Sequence, residues 1–324
     1  MKLVFMGTPD YAVNTLEALI AAGHNVAAVF AQPDKPVGRK HIITPPPVKV
    51  CAQSHGIAVY QPNTLRDGEA ERLLREIAPD AIVVVAYGKI LPKEILEIPK
   101  YGCVNGHASL LPKYRGSAPI QQAIISGETV TGVTAQLMDE GIDTGDILKT
   151  AETKIGEEET AEELFERLSG ITAELLVNTL EDIENITPQK QDEEKASYAP
   201  IIKKEMAQLD FINKTATEIH NAVRGYYSWP CAYFFLENKR VKVIKAAKAG
   251  NTDARAGTVI KSDDSLVIAC KDGTAVELVT VQPEGSKPMT AKQMLCGRPI
   301  AQGTVIGCEE PEEDGGKGAF KGGK

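Results

Sequence analysis

The run Ala81-Ile-Val-Val-Val-Ala86 does most to limit the fold. Consecutive apolar, β-branched residues of this kind are typical of a strand buried on both faces. Such a strand needs helices on each side of its sheet, and the neighbouring segments supply them by alternating short β-rich runs with helical patterns. Strands are expected at residues 2–6, 26–31, 58–60, 81–86 and 101–107. Helices are expected at 10–22, 48–55, 69–77 and 118–126, with a closing antiparallel pair at 132–138 and 147–155 and a long helix at 160–184. The expected class is therefore α/β, a Rossmann-like, mostly parallel sheet.

This first domain is expected to span residues 1–205, with a polar, proline-containing linker over about 186–208. After a helix at 217–226 the chain turns to short alternating strands, punctuated at Glu237-Asn238, Asp263-Asp264 and Asp272-Gly273. That pattern suggests a small β-barrel of the oligonucleotide-binding type over 206–308. The Glu/Gly/Lys-rich tail, 309–324, is expected to be disordered.

No stretch approaches the apolar length of a membrane span, and the N-terminus reads as a strand rather than a signal peptide. The six cysteines are scattered without a C-x-x-C pair, which argues against a structural zinc site and fits a reducing, cytoplasmic setting. The formal net charge of −8 speaks against a nucleic-acid partner, but its distribution is uneven. Residues 1–205 hold 20 Lys+Arg against 30 Asp+Glu, whereas residues 206–308 hold 13 against 9. A basic second module is compatible with RNA. Nothing demands more than a monomer.

The opening turn, Gly7-Thr-Pro-Asp-Tyr-Ala12, is not G-x-G-x-x-G, so close approach to a dinucleotide pyrophosphate is not expected. The stronger site is at the end of the strand 101–107, where open α/β sheets bind ligands. Asn105 and His107 are two residues apart and point to one side of an extended segment. An amide donor beside an imidazole suits a developing oxyanion and proton handling, although a strand-end Asn and His can equally satisfy loop backbone. Ser109-Leu-Leu-Pro112 adds backbone groups beside apolar surface. The acidic loop Asp139–Asp146 is either a solvated turn or an oxygen-ligand site for Mg²⁺ or Ca²⁺.

Taken together, Asn105-x-His-x-Ser-Leu-Leu-Pro, Arg115-Gly116 and Met138-Asp-x-Gly-x-Asp143-Thr-Gly resemble the folate-dependent formyltransferase family. Gly7-Thr-Pro-Asp10, Gln32-Pro-Asp-Lys35-Pro-Val-Gly-Arg39, Pro45-Pro-Pro-Val-Lys49 and Ser228-Trp-Pro230 are similar to the branch that formylates initiator methionyl-tRNA. The resemblance covers about residues 1–307. It implies 10-formyltetrahydrofolate as formyl donor and no metal. It also implies a catalytic set of Asn105, His107 and Asp143, in which the amide and a protonated imidazole would stabilise the oxyanion and the carboxylate would hold the imidazole cationic and carry a proton from the attacking amine toward the leaving nitrogen. Ser109, Leu110, Leu111 and Pro112 would contact the folate, and Tyr87, Ile90 and Leu91 would help line the pterin pocket. The proline-rich segment 32–47, irregular by its composition, would bring Lys35, Arg39 and Lys40 to the tRNA acceptor end, and Lys239, Arg240 and Lys242 would add a basic patch. Other acceptors (a sugar nucleotide, a purine precursor or water) share the catalytic set. A non-catalytic RNA-binding protein and a nicotinamide dehydrogenase are the readings from other classes.

Overall fold

Strand β1 (Lys2–Gly7) is buried along nearly its whole length, and its side chains feed two cores. Leu3 and Phe5 face one side of the sheet, Val4 and Met6 the other. β6 (Ala81–Val85) does the same, with Ala81, Val83 and Val85 on the first side and Ile82 and Val84 on the second. The apolar run is thus a doubly covered strand, because helices pack on both faces.

The computed structural model describes residues 1–38 and 40–307. Arg39, Cys308 and the tail expected to be disordered lie outside the described residues. The chain divides into two compact units, Met1–Ile202 and a second beginning at Lys203. In chain order the first unit continues with α1 (Val13–Ala21), β2 (Asn25–Phe30), β3 (Lys35–Val37), β4 (Ile42–Thr44), α2 (Pro47–Ser54), β5 (Val59–Tyr60) and α3 (Glu69–Ile77). After β6 come α4 (Lys93–Leu96), β7 (Cys103–His107), β8 (Arg115–Gly116), α5 (Pro119–Ile125), β9 (Val130–Leu137), β10 (Asp146–Lys154), α6 (Ala161–Glu181) and β11 (Tyr198–Ala199).

Seven strands form the main sheet in the order β10-β9-β7-β6-β1-β2-β5. The five from β7 to β5 are parallel, and β9 and β10 close the other edge antiparallel. The chain builds outward from β1 to β5, then crosses back to place β6 on the other side of β1. This reversal opens a crevice beyond the strand ends, the usual ligand position in such sheets. Helix α6 starts at a capping box, in which Thr160 and Glu163 satisfy each other's backbone N–H groups.

Two expectations need correction. The stretch 32–47 is not wholly irregular, because β3 and β4 pair as a short hairpin, with Lys35 opposite Thr44 and Val37 opposite Ile42. Valine and isoleucine favour extended backbone and overcome the proline content. The stretch 186–208 is not a free tether either. Gln189 bridges to Ile147 on β10, Ser197 donates its backbone N–H to Pro112, and β11 pairs in parallel with β8. Backbone groups of a polar segment are satisfied here by the sheet rather than by water.

The second unit begins its regular structure with α7 (Ala216–Gly225), followed by β12 (Tyr233–Leu236), β13 (Lys239–Asn251), β14 (Val259–Ser262), β15 (Leu266–Ala269), β16 (Thr274–Pro283), β17 (Met289–Thr290) and α8 (Ala291–Gly297). Its antiparallel sheet runs β12-β13-β16-β15-β14, with β17 beside β16, and curls into a half-barrel. Register shifts in the pairing of β13 with β16 allow the long strand to bend. The β12–β13 hairpin turns through Glu237 and Asn238, both at positive φ, as a two-residue turn between right-twisted strands requires. The core of the unit gathers Phe211, Phe234, Val243, Ile268 and Leu278 with α7 and α8. Among the described residues no helix is long and apolar enough to cross a membrane.

Candidate active site

Asn105 and His107 stand on β7 with Gly106 between them. The glycine is required where it is, because a Cβ there would lie 2.7 Å from Thr172 Cγ2 and 2.9 Å from Leu176 Cδ1 of α6. Close packing of α6 beneath the strand thus turns the two polar neighbours to the opposite face. Asn105 donates from Nδ2 to the Val84 carbonyl of β6 at 3.0 Å and accepts at Oδ1 from Gln136 Nε2 at 3.1 Å. A backbone carbonyl cannot donate, so the orientation of the Asn105 amide is determined. Among the described residues Val84 is its one acceptor partner, and Asn105 also lines a cavity.

His107 is buried, with 7% of its surface exposed. Its Nε2 lies 2.9 Å from the Tyr114 carbonyl, and its Nδ1 lies 3.5 Å from Asp143 Oδ1. Because Tyr114 offers only an acceptor, Nε2 carries the hydrogen of the neutral ring. A further proton would then be taken up at Nδ1, on the side of Asp143.

Asp143 sits in the loop between β9 and β10 with φ of 55°, a left-handed conformation unusual for a residue with a Cβ. Its Oδ2 accepts from the Gly116 backbone N–H at 2.8 Å and its Oδ1 from Gln136 Nε2 at 2.9 Å. Both carboxylate oxygens are thereby held by N–H donors. Asp139, by contrast, caps its own turn, accepting from Gly141 N and Thr144 Oγ1.

These residues form part of the wall of a cavity of about 600 Å³. Tyr87, Ile90, Leu91, Met138, Ile142 and Phe165 supply apolar surface, while Asn105, His107, Asp139 and Asp143 supply polar groups. A mostly apolar cleft with a few convergent polar groups suits a planar organic ligand. The Tyr87 hydroxyl is buried and has no hydrogen-bond partner among the described residues, and burial pushes the phenol up to about 12.

The structure brings together Asn105, His107, Asp143, Tyr87, Ile90 and Leu91. It does not bring Ser109, Leu110, Leu111 and Pro112 into the cavity wall. The Ser109 hydroxyl donates to the Lys113 carbonyl, and Leu111 donates its backbone N–H to Thr134 Oγ1. This run forms the turn that delivers Tyr114 and Arg115-Gly116 to the site, and the Ser109 hydroxyl and Leu111 N–H are engaged in it. Gln136 is not among the residues expected from the sequence. It is 1% exposed and bridges Asn105 to Asp143, its only signal being a long polar side chain in an apolar strand.

Lys35 is exposed on β3 and Lys40 in the turn before β4. Lys239, Arg240 and Lys242 share β13 in the second unit, where the Arg240 guanidinium lies 4.3 Å from the Tyr233 ring centre. Outside the cavity, Glu17, Cys51 and His55 place three ligand-type atoms within 4.8 Å of one another. Cys51 and His55, one helical turn apart, are a pairing that the scattered cysteine count conceals. Glu17 and His55 are exposed to water.

Residues 1–180 match the family model for formyl transferases, and residues 201–299 match that for the formyl transferase C-terminal domain. The chain is 47% identical over 304 residues to a methionyl-tRNA formyltransferase of Thermodesulfovibrio yellowstonii, covering 93% of this chain and 97% of that one. It is 48% identical over 311 residues to the methionyl-tRNA formyltransferase of Acidobacterium capsulatum, covering 95% and 100%. Among solved structures, an N-formyltransferase from Helicobacter canadensis, in complex with folinic acid and dTDP-3-aminofucose, aligns with a TM-score of 0.66. The identity is 23%, with 87% of this chain and 99% of that one covered. A methionyl-tRNA formyltransferase from Clostridium thermocellum aligns with a TM-score of 0.55 at 23% identity, covering 76% and 93%. At those identities the structural matches speak to the fold alone.

Proposed function

Since the chain belongs to the formyl transferase family, we propose that it moves the formyl group of 10-formyltetrahydrofolate to the α-amine of methionyl-initiator tRNA. The observation that carries the chemistry is the convergence of Asn105, His107 and Asp143 on the wall of the cavity beyond the ends of β6 and β7. The full-length likeness to methionyl-tRNA formyltransferases supports the acceptor.

In this mechanism the neutral amine attacks the formyl carbon, forming a C–N bond and a tetrahedral intermediate with negative charge on the formyl oxygen. The unshared N–H of Asn105 donates to that oxygen. One such donor is typically worth ~3 kcal/mol of barrier. His107 differs from the role its family resemblance suggests. Its Nε2–H is given to Tyr114 and its Nδ1 faces Asp143, so it contributes a proton-exchange position at Nδ1 rather than a second oxyanion hydrogen bond. Asp143 and His107 together take a proton from the attacking nitrogen and return one to the folate nitrogen as its bond to the formyl carbon breaks. Both reactants are held together while this occurs, which supplies much of the remaining acceleration. Tyr87, Ile90 and Leu91 receive the apolar part of the donor.

Transfer of labelled formyl from 10-formyltetrahydrofolate to methionyl-tRNA tests the reading, with free methionine and an amino-sugar nucleotide as comparison acceptors. Asn105→Ala and His107→Ala are each expected to lower turnover by ~10²-fold or more while leaving folate affinity nearly intact. Wild-type turnover in both variants would remove the catalytic assignment, and preference for the amino-sugar would move the substrate.

A further inference from the structure

We propose that Gln191 is a positioning residue for Asp143, and that the segment 189–199 serves as a strap that holds the catalytic loop. This rests on the reading of Asp143 given above.

The loop between β9 and β10 has to present Asp143 from a backbone conformation that side-chain-bearing residues rarely adopt. Gln191 holds that conformation directly. Its Nε2 donates to the Asp143 carbonyl at 2.8 Å and to the Gly145 carbonyl at 2.7 Å, using both of its hydrogens. Its Oε1 accepts from Arg115 Nε at 3.1 Å and Nη2 at 2.8 Å. The guanidinium has only donors, so it determines which end of the Gln191 amide faces the loop. A flipped amide would set hydrogens against hydrogens and oxygen against two carbonyls.

Arg115 is itself committed. It is 1% exposed, and it is paired through two further hydrogen bonds, at 2.9 and 2.7 Å, to the carboxylate of Glu193, two residues beyond Gln191. The adjoining Gly116 N–H holds the Asp143 carboxylate. One dipeptide therefore grips the side chain of Asp143 from β8, while the strap, anchored on the same arginine, grips its backbone. Gly116 lies at φ of 112°, and a Cβ there would meet the Ala199 carbonyl at 2.7 Å, so strap and β8 are in close backbone contact. The strap is tied at both ends, by Gln189 to Ile147 and by β11 to β8. The arrangement keeps the carboxylate 3.5 Å from His107 Nδ1, the separation on which proton exchange depends. Displacement of a reacting group by about 1 Å can cost up to 10²-fold in rate.

The test uses the full-length enzyme with 10-formyltetrahydrofolate and methionyl-tRNA. Gln191→Ala should lower kcat about 10-fold, with KM for both substrates within about 2-fold of wild type. Gln191→Glu keeps the contact with Arg115 but faces two carbonyls with an oxygen, and should be at least as impaired. In an Asp143→Asn background, Gln191→Ala should change kcat by less than about 2-fold, because the residue it positions has already lost its function. A wild-type kcat for Gln191→Ala and Gln191→Glu beside a strongly impaired Asp143→Asn overturns the inference, as does an equal loss in both backgrounds. A joint rise in KM and fall in melting temperature, with kcat kept, reduces Gln191 to an ordinary structural tie and also overturns it. Full activity in Asp143→Asn would instead sink the underlying catalytic reading.

Discussion

Tyr87 shows how one side chain can report on both stability and ligand binding. Its hydroxyl is buried without a partner among the described residues, in the wall of the cavity that would take the folate. Tyr87→Phe removes a desolvated polar group, so stability should be unchanged or higher by about 1 kcal/mol. If the hydroxyl meets the donor, KM for 10-formyltetrahydrofolate rises with little change in kcat; steady-state kinetics on the variant distinguish the two outcomes. Burial pushes both the Tyr87 phenol and the Cys103 thiol up to about 12, from ordinary values of 10.0 and 9.0. Both groups therefore stay neutral in the folded chain over a range in which the unfolded chain ionises. The stability they contribute is complete below pH 9 and is lost as pH rises from there toward 12. Urea titrations at pH 8 and at a pH above 10 should show this loss, and Tyr87→Phe should diminish it. At this scale the sequence is legible where spacing and chemistry coincide, as in Asn105, His107 and Asp143. It is not legible at Gln136 or Gln191, because Gln136 reaches Asn105 31 residues away and Gln191 reaches Asp143 48 residues away, contacts made by the sheet and the strap.

The secondary elements do their work by exclusion as much as by contact. β7 can present Asn105 and His107 to the cavity because Gly106 allows α6 to approach from behind. Gly106→Ala overpacks that interface, and the expected cost is about 1–3 kcal/mol, read from the urea midpoint. Strain at the centre of the Asn-Gly-His triplet should also lower kcat by more than the stability loss explains; full activity in a destabilised variant would show that the strand accommodates the methyl group. The apolar period of β1 and β6 makes the two-core sheet readable from sequence, since a strand alternates sides residue by residue. The segment 189–199 is harder to read because its sequence is that of a linker. Its order comes from partners on β8, on β10 and in the turn before β8, so polarity and proline content alone point the wrong way. The run Ser109–Pro112 reads as a ligand-binding stretch for the opposite reason. It follows β7 in sequence, but its Ser109 hydroxyl and Leu111 N–H are used in making the turn.

At the scale of the whole molecule, the net charge of −8 conceals two unlike parts. The acidic excess lies in the first unit, which is expected to take the folate. The second offers β13, whose outward face carries Arg240 and Lys242 beyond the exposed Lys239, above a buried row of Val241 and Val243. The Arg240 guanidinium stacks on Tyr233, 4.3 Å from the ring centre. A strand face of this composition suits a phosphate backbone, where each neutralised phosphate releases counterions and makes binding depend on salt. Lys239→Glu combined with Lys242→Glu should weaken binding of methionyl-tRNA without moving the KM for 10-formyltetrahydrofolate. The slope of log affinity against log salt should also become shallower, by about 1 for each phosphate that is no longer neutralised. The same affinity and slope in the double variant would take β13 out of the tRNA interface. The acidic first unit would then have to recruit an anionic polymer through its hairpin, where Lys35 and Lys40 are exposed. Arg39→Ala and Lys40→Ala distinguish that case, because a loss of tRNA affinity confined to these variants would place recognition on the proline-rich segment alone.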